Sequence, residues 1–264
     1  MTISLHGFPW DAGSSYARGP ALAPAVIRAV LFSDASSPYS LSGVNIEDAI
    51  GCYDFESLPK NGAEARAAIE RRIVKSLNEN KKPISLGGDH SVTYPILRAM
   101  KAHYGPLNIL QIDAHTDLYE EFEGDRYSHA CPFARAIEDG CINQLVQIGL
   151  RSVTPQAKNF GETNGVVMLG ADETGAIPFE WLQSPLYVTI DLDGLDPAFA
   201  PGVSHPEPGG LSTRDVLSIL KSLSVSPVGA DVVELNPERD VNLTTANVAA
   251  RLVKELIGLM AGRP

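Results

Sequence analysis

Residues 107–117 read LNILQIDAHTD. An apolar run carrying Ile109, Leu110 and Ile112 stops at Asp113, His115 and Asp117, set at every second position. In extended backbone, residues two apart project from the same face, so two carboxylates and an imidazole converge at the end of a hydrophobic strand. Charged groups in such a place are costly unless something cationic compensates them, and a metal ion is the simplest compensation. Residues 186–196, LYVTIDLDGLD, repeat the arrangement with Asp191 and Asp193. His90, in GGDHS at 87–91, follows a third short apolar stretch.

His90, Asp113, His115, Asp117, Asp191 and Asp193 are too many ligands for one tetrahedral ion and suit a pair bridged by shared carboxylates. Oxygen-rich ligation with some imidazole favours Mn²⁺ over Fe or Zn, and helps Mg²⁺ least. Paired ions lower the pKa of a bridging water toward ~7, so the expected reaction is a hydrolysis. Plainer roles compete with each assignment. Asp89 and Ser91 suit a turn and a helix cap, Asp-Leu-Asp-Gly suits a turn, and Glu234 suits a strand-end salt bridge. His129 suits a surface loop; His6 and His103 are expected to be structural, and for His205, in a Pro-rich loop, a structural role is expected ahead of lining a site.

The elements that position these groups follow from hydrophobic period. Strands are predicted at 3–5, 44–53, 83–86, 107–112, 145–150, 166–169, 187–192 and 228–235. Helices fall between them. One opens at Pro24 with Val26, Ile27, Val30 and Leu31 on its apolar side. Another begins in the capping-box pattern Asn61…Glu64 and carries Ile69, Ile73 and Leu77. The next carries Val92, Ile96 and Leu97, and a short one lies near 133–137. Ser212 caps a helix with Asp215 at its third position, and the last helix lines up Val248, Leu252, Leu256 and Leu259 or Met260. Alternating strands and helices imply a parallel sheet covered on both faces, and the count of about eight fits an open sheet or a barrel. In either, function gathers at the C-terminal strand ends, where the six candidate ligands and Glu234 fall. Two polar loops, YEEFEGDRYSHACP and GLDPAFAPGVSHPEPGG, are too long or too rich in Gly and Pro to be simple turns.

The chain has 264 residues, 44% of them hydrophobic, and a net charge of −11. That fits one large α/β domain as well as two small ones, and disfavours nucleic acid or an acidic membrane as partner, while attracting a cationic small molecule. Cys52, Cys131 and Cys141 are an odd number without C-x-x-C spacing, which fits a reducing cytoplasm. No signal-peptide pattern or bilayer-length apolar run is present.

GGDHS at 87–91, DAHTD at 113–117, SHACPFARA at 128–136, DLDGLDPAFAPG at 191–202 and DVVELNP at 231–237 together resemble the ureohydrolases, the family of arginases and agmatinases. GFPWDAGSSYARGPALAPAVIRA is similar to the family's N-terminal pattern, so the resemblance spans the chain as one ureohydrolase domain, residues 1–264. It implies a three-layer α/β fold with a mainly parallel eight-stranded sheet, helices on both faces and two Mn²⁺ per chain. One ion would take His90, Asp113, Asp117 and Asp191, the other Asp113, His115, Asp191 and Asp193. It further implies cleavage of a guanidino group to urea and an amine, in a homo-oligomer, trimer or hexamer. Asp117 would hold the attacking hydroxide, Glu234 would pair with the guanidinium, and His129 matches the family's proton-shuttling histidine.

For the substrate, Tyr119 and Thr154 stand where animal-type arginases place the Asn and Asp that hold the amino-acid head. That favours agmatine, giving putrescine and urea, with arginine next and guanidino acids third; the two long loops look most like plant-type arginases and bacterial agmatinase-like relatives. A non-catalytic metal-binding subunit of the same fold is the reading from another class, and the complete ligand set argues against it.

Overall fold

Eight strands form a single sheet: β1 (Ile3–Gly7), β2 (Ile50–Asp54), β3 (Lys82–Leu86), β4 (Leu107–Ile112), β5 (Ile142–Leu150), β6 (Val167–Gly170), β7 (Leu186–Asp191) and β8 (Gly229–Val233). The structure is a computed structural model and describes residues 3–54 and 57–262. The strand order is β2-β1-β3-β8-β7-β4-β5-β6, and every pairing is parallel. The sheet is therefore open rather than a barrel, and wholly rather than mainly parallel. Between the strands run α1 (Ala23–Leu31), α2 (Ile46–Ala49), α3 (Gly62–Asn78), α4 (Thr93–Tyr104), α5 (Pro132–Glu138), α6 (Pro155–Thr163), α7 (Thr213–Ser222) and α8 (Thr244–Ala261).

Strand alternation splits the core into two layers. Leu110 and Ile112 of β4, Val188 and Ile190 of β7, and Ala230 and Val232 of β8 face α1, α7 and α8. Leu107 and Ile109, with Tyr187 and Val233, face Ile69, Ile73 and Leu77 of α3 and Ile96, Leu97 and Met100 of α4. Helices on both faces of an all-parallel sheet give the expected three layers. No described helix is long and apolar enough to cross a membrane.

Several local readings change. The stretch 44–53 is not one strand: Asn45 caps the helical turn α2 by accepting from the Glu47 N–H, and β2 begins only at Ile50. Helix α6 lacks an apolar stripe, with only Ala157 and Gly161 buried, so hydrophobic period does not reveal it; its signals are the Thr154 cap and Pro155 behind it. Helix α8 buries Leu252, Leu256 and Met260, but also Val253 and Ile257, while Val248 and Leu259 stay half-buried. It lies under the loop after α1, where Lys254 donates to Ser36 Oγ at 2.7 Å and the Glu255 carboxylate accepts the Leu41 N–H at 3.0 Å. At α3 the expected capping box reduces to an N-cap, Asn61 accepting the Ala63 and Glu64 N–H groups, whereas Ser212 and Asp215 form a full capping box on α7.

The turn after β3 is where sequence meets sheet most tightly. A Cβ at Gly88 would sit 1.6 Å from the Trp10 carbonyl oxygen, which already accepts the Asp89 N–H. Neither backbone can retreat, so Gly88→Ala is expected to cost on the order of 3 kcal/mol. For a chain of this size that lowers Tm by roughly 6–12 °C in calorimetry. Gly175→Ala, with nothing within 4 Å of its Cβ, serves as the comparison and should leave Tm in place.

Candidate metal centre

The four adjacent strands β3, β8, β7 and β4 occupy the middle of the sheet, and each delivers acidic or imidazole side chains at its C-terminal end. After β3, Gly87 and Gly88 lead into Asp89, whose carboxylate accepts the Ser91 N–H and starts a 3-10 turn, His90–Val92. That cap is the plainer role read for Asp89, and it aims His90 inward. After β7, Asp191 accepts the Asp193 N–H at 2.9 Å and caps the turn Leu192–Gly194. Asp193 accepts the Ala114 N–H at 3.2 Å, locking the β7 turn onto the segment after β4. A Cβ at Gly194 would lie 2.8 Å from the Asp113 nitrogen, so only glycine permits this approach.

His90 Nδ1 lies 3.2 Å from Asp113 Oδ2, 2.9 Å from Asp117 Oδ2 and 3.2 Å from Asp191 Oδ2. His115 Nδ1 lies 3.1 Å from Asp193 Oδ2 and 3.6 Å from Asp113 Oδ1. Two groups result: His90, Asp113 and Asp117, and Asp113, His115 and Asp193, each with ligand atoms within 4.8 Å of one another. Asp113 belongs to both and offers one oxygen to each. Asp191 joins the first group through Oδ2, so Asp113 and Asp191 meet at one imidazole nitrogen.

The electrostatics describe a cluster lacking positive charge. Burial, then Asp193 and Asp113, hold the Asp191 carboxyl well above the usual carboxylate range. Asp117 is pushed up to about 6 by burial and by Asp113. Burial opposes charge on His90, yet the carboxylates of Asp113, Asp117 and Asp191 outweigh it and raise that imidazole well above its ordinary value. His115 is raised against burial by Asp193 and Asp113. His90 Nδ1 is buried and crowded by three carboxylate oxygens, at 3.2, 2.9 and 3.2 Å, none of them aligned for a regular hydrogen bond. Four carboxylates around two imidazoles, with a ligand nitrogen left over, fit a binuclear site for hard divalent cations.

A row of polar residues crosses the sheet beneath these ligands. The register aligns Gln147 with Gln111, Gln111 with Thr189, and Thr189 with Asp231. Gln147 Nε2 donates to Gln111 Oε1 at 2.7 Å, and Gln111 Nε2 donates to Asp113 Oδ2 at 2.7 Å, fixing the shared carboxylate.

Beside the cluster, Glu234 Oε1 accepts the His90 N–H at 2.8 Å and lies 3.1 Å from His129 Nδ1. Its Oε2 is buried without a partner. Burial opposes ionisation of Glu234, but His129 and His90 hold its carboxyl below the usual range. His129 is raised to about 9, because the Glu234 carboxylate outweighs the effect of burial. Its Nε2 lies 2.9 Å from Ser15 Oγ. Asp117 and Glu234 both adopt left-handed backbone, at φ 52° and 65°, conformations that cost non-glycine residues about 1–2 kcal/mol each.

The structure brings His90, Asp113, His115, Asp117, Asp191, Asp193, Glu234 and His129 to one place. Tyr119 sits two residues past Asp117 with its ring on Phe122 at 5.2 Å, and the Thr154 hydroxyl caps α6. His205, expected to be structural, instead packs its ring 5.1 Å from His129, 6.1 Å from His115 and 5.7 Å from Tyr16, forming a wall of the site. Its one sequence signal is a position in the Pro-rich loop that follows Asp193. Arg151, unnoticed in the sequence, binds the carbonyls of Asp193 at 2.6 Å, Glu207 at 2.6 Å and Gly149 at 2.7 Å. It thereby ties the end of β5 to the loop carrying Asp193 and His205. His6 and His103 stay outside, His6 stacked on Phe8 and His103 edge-on to Tyr104.

A family model described as the arginase family matches residues 1–258. The mitochondrial arginase 1 of Arabidopsis thaliana is 40% identical over 274 residues, covering 97% of this chain and 80% of the relative. The solved structure of an arginase from Medicago truncatula superposes with a TM-score of 0.90 at 39% identity, covering 98% of this chain and 87% of that one. The agmatine ureohydrolase of Thermoplasma volcanium does so with a TM-score of 0.86 at 29% identity, covering 98% and 89%.

A cluster that needs cations should be stabilised by them. Mn²⁺ at about 100 times its Kd is expected to add about 2.7 kcal/mol to the stability of metal-stripped protein. The upward Tm shift should be reversed by EDTA and lost in Asp113→Asn. A wild-type Tm indifferent to both Mn²⁺ and EDTA contradicts a metal centre.

Proposed function

The chain belongs to the arginase family, and we propose that it hydrolyses arginine to ornithine and urea using two Mn²⁺ ions. The observation that carries the guanidino part is Glu234. Its carboxylate is buried and ionised, spends Oε1 on His90 and His129, and keeps Oε2 without a partner. A planar guanidinium offers N–H donors that such a group accepts in a charge-assisted contact, which places the guanidinium carbon beside the metal ligands. The net charge of −11 adds long-range attraction for a cation.

Divalent ions held by His90, Asp113, His115, Asp117, Asp191 and Asp193 would lower the pKa of a water toward ~7 and furnish hydroxide at neutral pH. Asp117, 2.9 Å from His90 Nδ1, is placed to orient that nucleophile. Collapse of the tetrahedral intermediate must expel an amine, which needs a proton. His129, with its pKa near 9, carries one at neutral pH, and its contact with Glu234 keeps it next to the guanidinium.

The tail preference read from the sequence, agmatine first, gives way to arginine. The Thr154 hydroxyl is occupied as a helix cap and the Tyr119 ring packs on Phe122, so their presence says little about a missing amino-acid head. The 40% identity to a plant arginase over nearly the whole chain supports arginine more strongly than the 29% identity to an agmatine ureohydrolase supports agmatine. Agmatine stays as the second reading on the strength of that structural likeness, and Tyr119 keeps its proposed place at the substrate's tail. The same reading carries a homo-oligomer, trimer or hexamer, and a reducing, cytoplasmic setting, which an odd cysteine count without C-x-x-C spacing fits.

Urea release from arginine, agmatine and 4-guanidinobutyrate, assayed with Mn²⁺, tests the proposal. Arginine should give a kcat/KM at least about tenfold above the others, a difference of about 1.4 kcal/mol in transition-state binding. The reverse order selects agmatine, and no urea from any of them leaves a metal-binding protein without this activity. With the preferred substrate, His129→Ala should lower kcat by roughly 10²–10⁴-fold while metal content stays intact, whereas Asp191→Ala should lose metal. Equal metal retention in the two variants contradicts the assigned roles.

A further inference from the structure

We infer that Asp231 is a positioning residue for the metal centre: through the Thr189 hydroxyl it fixes the proton of His90 on Nε2, so that the Nδ1 lone pair faces Asp113, Asp117 and Asp191. The inference rests on the reading of His90 as a ligand.

Asp231 is fully buried in β8, on the face that packs against α3 and α4. Three hydroxyls converge on its carboxylate. Thr189 Oγ1 donates to Oδ1 at 2.5 Å, and Tyr187 Oη and Thr93 Oγ1 donate to Oδ2, each at 2.8 Å. Thr189 Oγ1 also lies 3.0 Å from His90 Nε2. A hydroxyl has one proton. Given to Asp231, it leaves Thr189 only an acceptor toward His90, so in the neutral ring that ligates a metal Nε2 carries the hydrogen and Nδ1 keeps its lone pair. If the Thr189 proton pointed at His90 instead, the hydrogen would move to Nδ1, among three carboxylates, and the nitrogen could not ligate a metal. A carboxylate at 231 decides between these tautomers because it offers acceptors and no proton.

The register of the sheet makes the relay possible. Thr189 on β7 stands directly opposite Asp231 on β8, and on its other side opposite Gln111 of β4, which holds Asp113. One polar row thus orients a ligand of each chemical kind, an imidazole through Asp231 and the shared carboxylate through Gln111. Outer partners of this sort typically contribute about 10–100-fold to metal affinity.

Titration of metal-free protein with Mn²⁺, following the free ion by electron paramagnetic resonance, reads this directly. Asp231→Asn and Thr189→Val should each weaken binding about 10–100-fold, and the double variant should be no weaker than the worse single one. Thr189→Ser, which keeps the hydroxyl, should restore wild-type affinity. Tyr187→Phe removes a donor to Oδ2 but leaves the relay, so it should lower Tm without changing affinity. Wild-type affinity in both Asp231→Asn and Thr189→Val overturns the inference, as does an equal loss of affinity in Tyr187→Phe. A wild-type chain that takes up no Mn²⁺ overturns it together with the metal centre.

Discussion

Four carboxylates, Asp113, Asp117, Asp191 and Asp193, are buried within a few ångströms of two imidazoles. An ionised carboxylate out of water carries a penalty of several kcal/mol unless it is paired and hydrogen-bonded. The protein supplies part of that compensation through backbone N–H donors from His115, Ala114 and Asp193 and through the Gln111 amide. The remainder calls for cations, and the displaced pKa values of Asp191, Asp117, His90 and His115 mark that need. The rest of the molecule can be understood as what is required to hold this concentration of charge together.

A wholly parallel sheet is suited to the task. Parallel strands present all their C-terminal ends on one edge, and β3, β8, β7 and β4 place theirs side by side. Below the edge the sheet is buried and packed on both faces, which fixes strand positions. The polar row from Gln147 to Asp231 passes that rigidity to the ligands. Strain collects just above it, in the left-handed backbone of Asp117 and Glu234. Those conformations aim one carboxylate at His90 and the other at His90 and His129, and the surrounding hydrogen bonds hold them there.

Chemistry and selectivity occupy different parts of the fold. The residues proposed to engage a guanidino group lie at strand ends or are bonded to them, as Glu234 is to His90. Tyr119, proposed to meet the rest of a substrate, and His205, packed against His129 and His115, stand on loops. Arg151 clamps one of these loops to the sheet by its carbonyls, so the wall built by His205 is placed by a single half-buried guanidinium. A shared catalytic core with loop-borne selectivity is consistent with relatives that bear the names of different guanidino substrates.

The sequence by itself determined what depends on neighbours along the chain. Spacing along the chain paired Asp113 with His115 and Asp191 with Asp193, although the pairs form where β4 and β7 end, the second across a 3-10 turn, rather than within extended strand. Helical period placed Ile69, Ile73 and Leu77 on one face of α3. The motifs from 87 to 237 also carried the family, and with it the three-layer fold. Tertiary structure decided what depends on which strands become neighbours. The open sheet over a barrel, the meeting of His129 with Glu234, the presence of His205 at the site and the relay from His90 through Thr189 to Asp231 all join residues far apart in sequence. No local period encodes such contacts, because they arise from strand order and register, which are set by the packing of whole faces. Helix α6 escaped notice for the opposite reason, since it buries too little to leave an apolar stripe in the sequence.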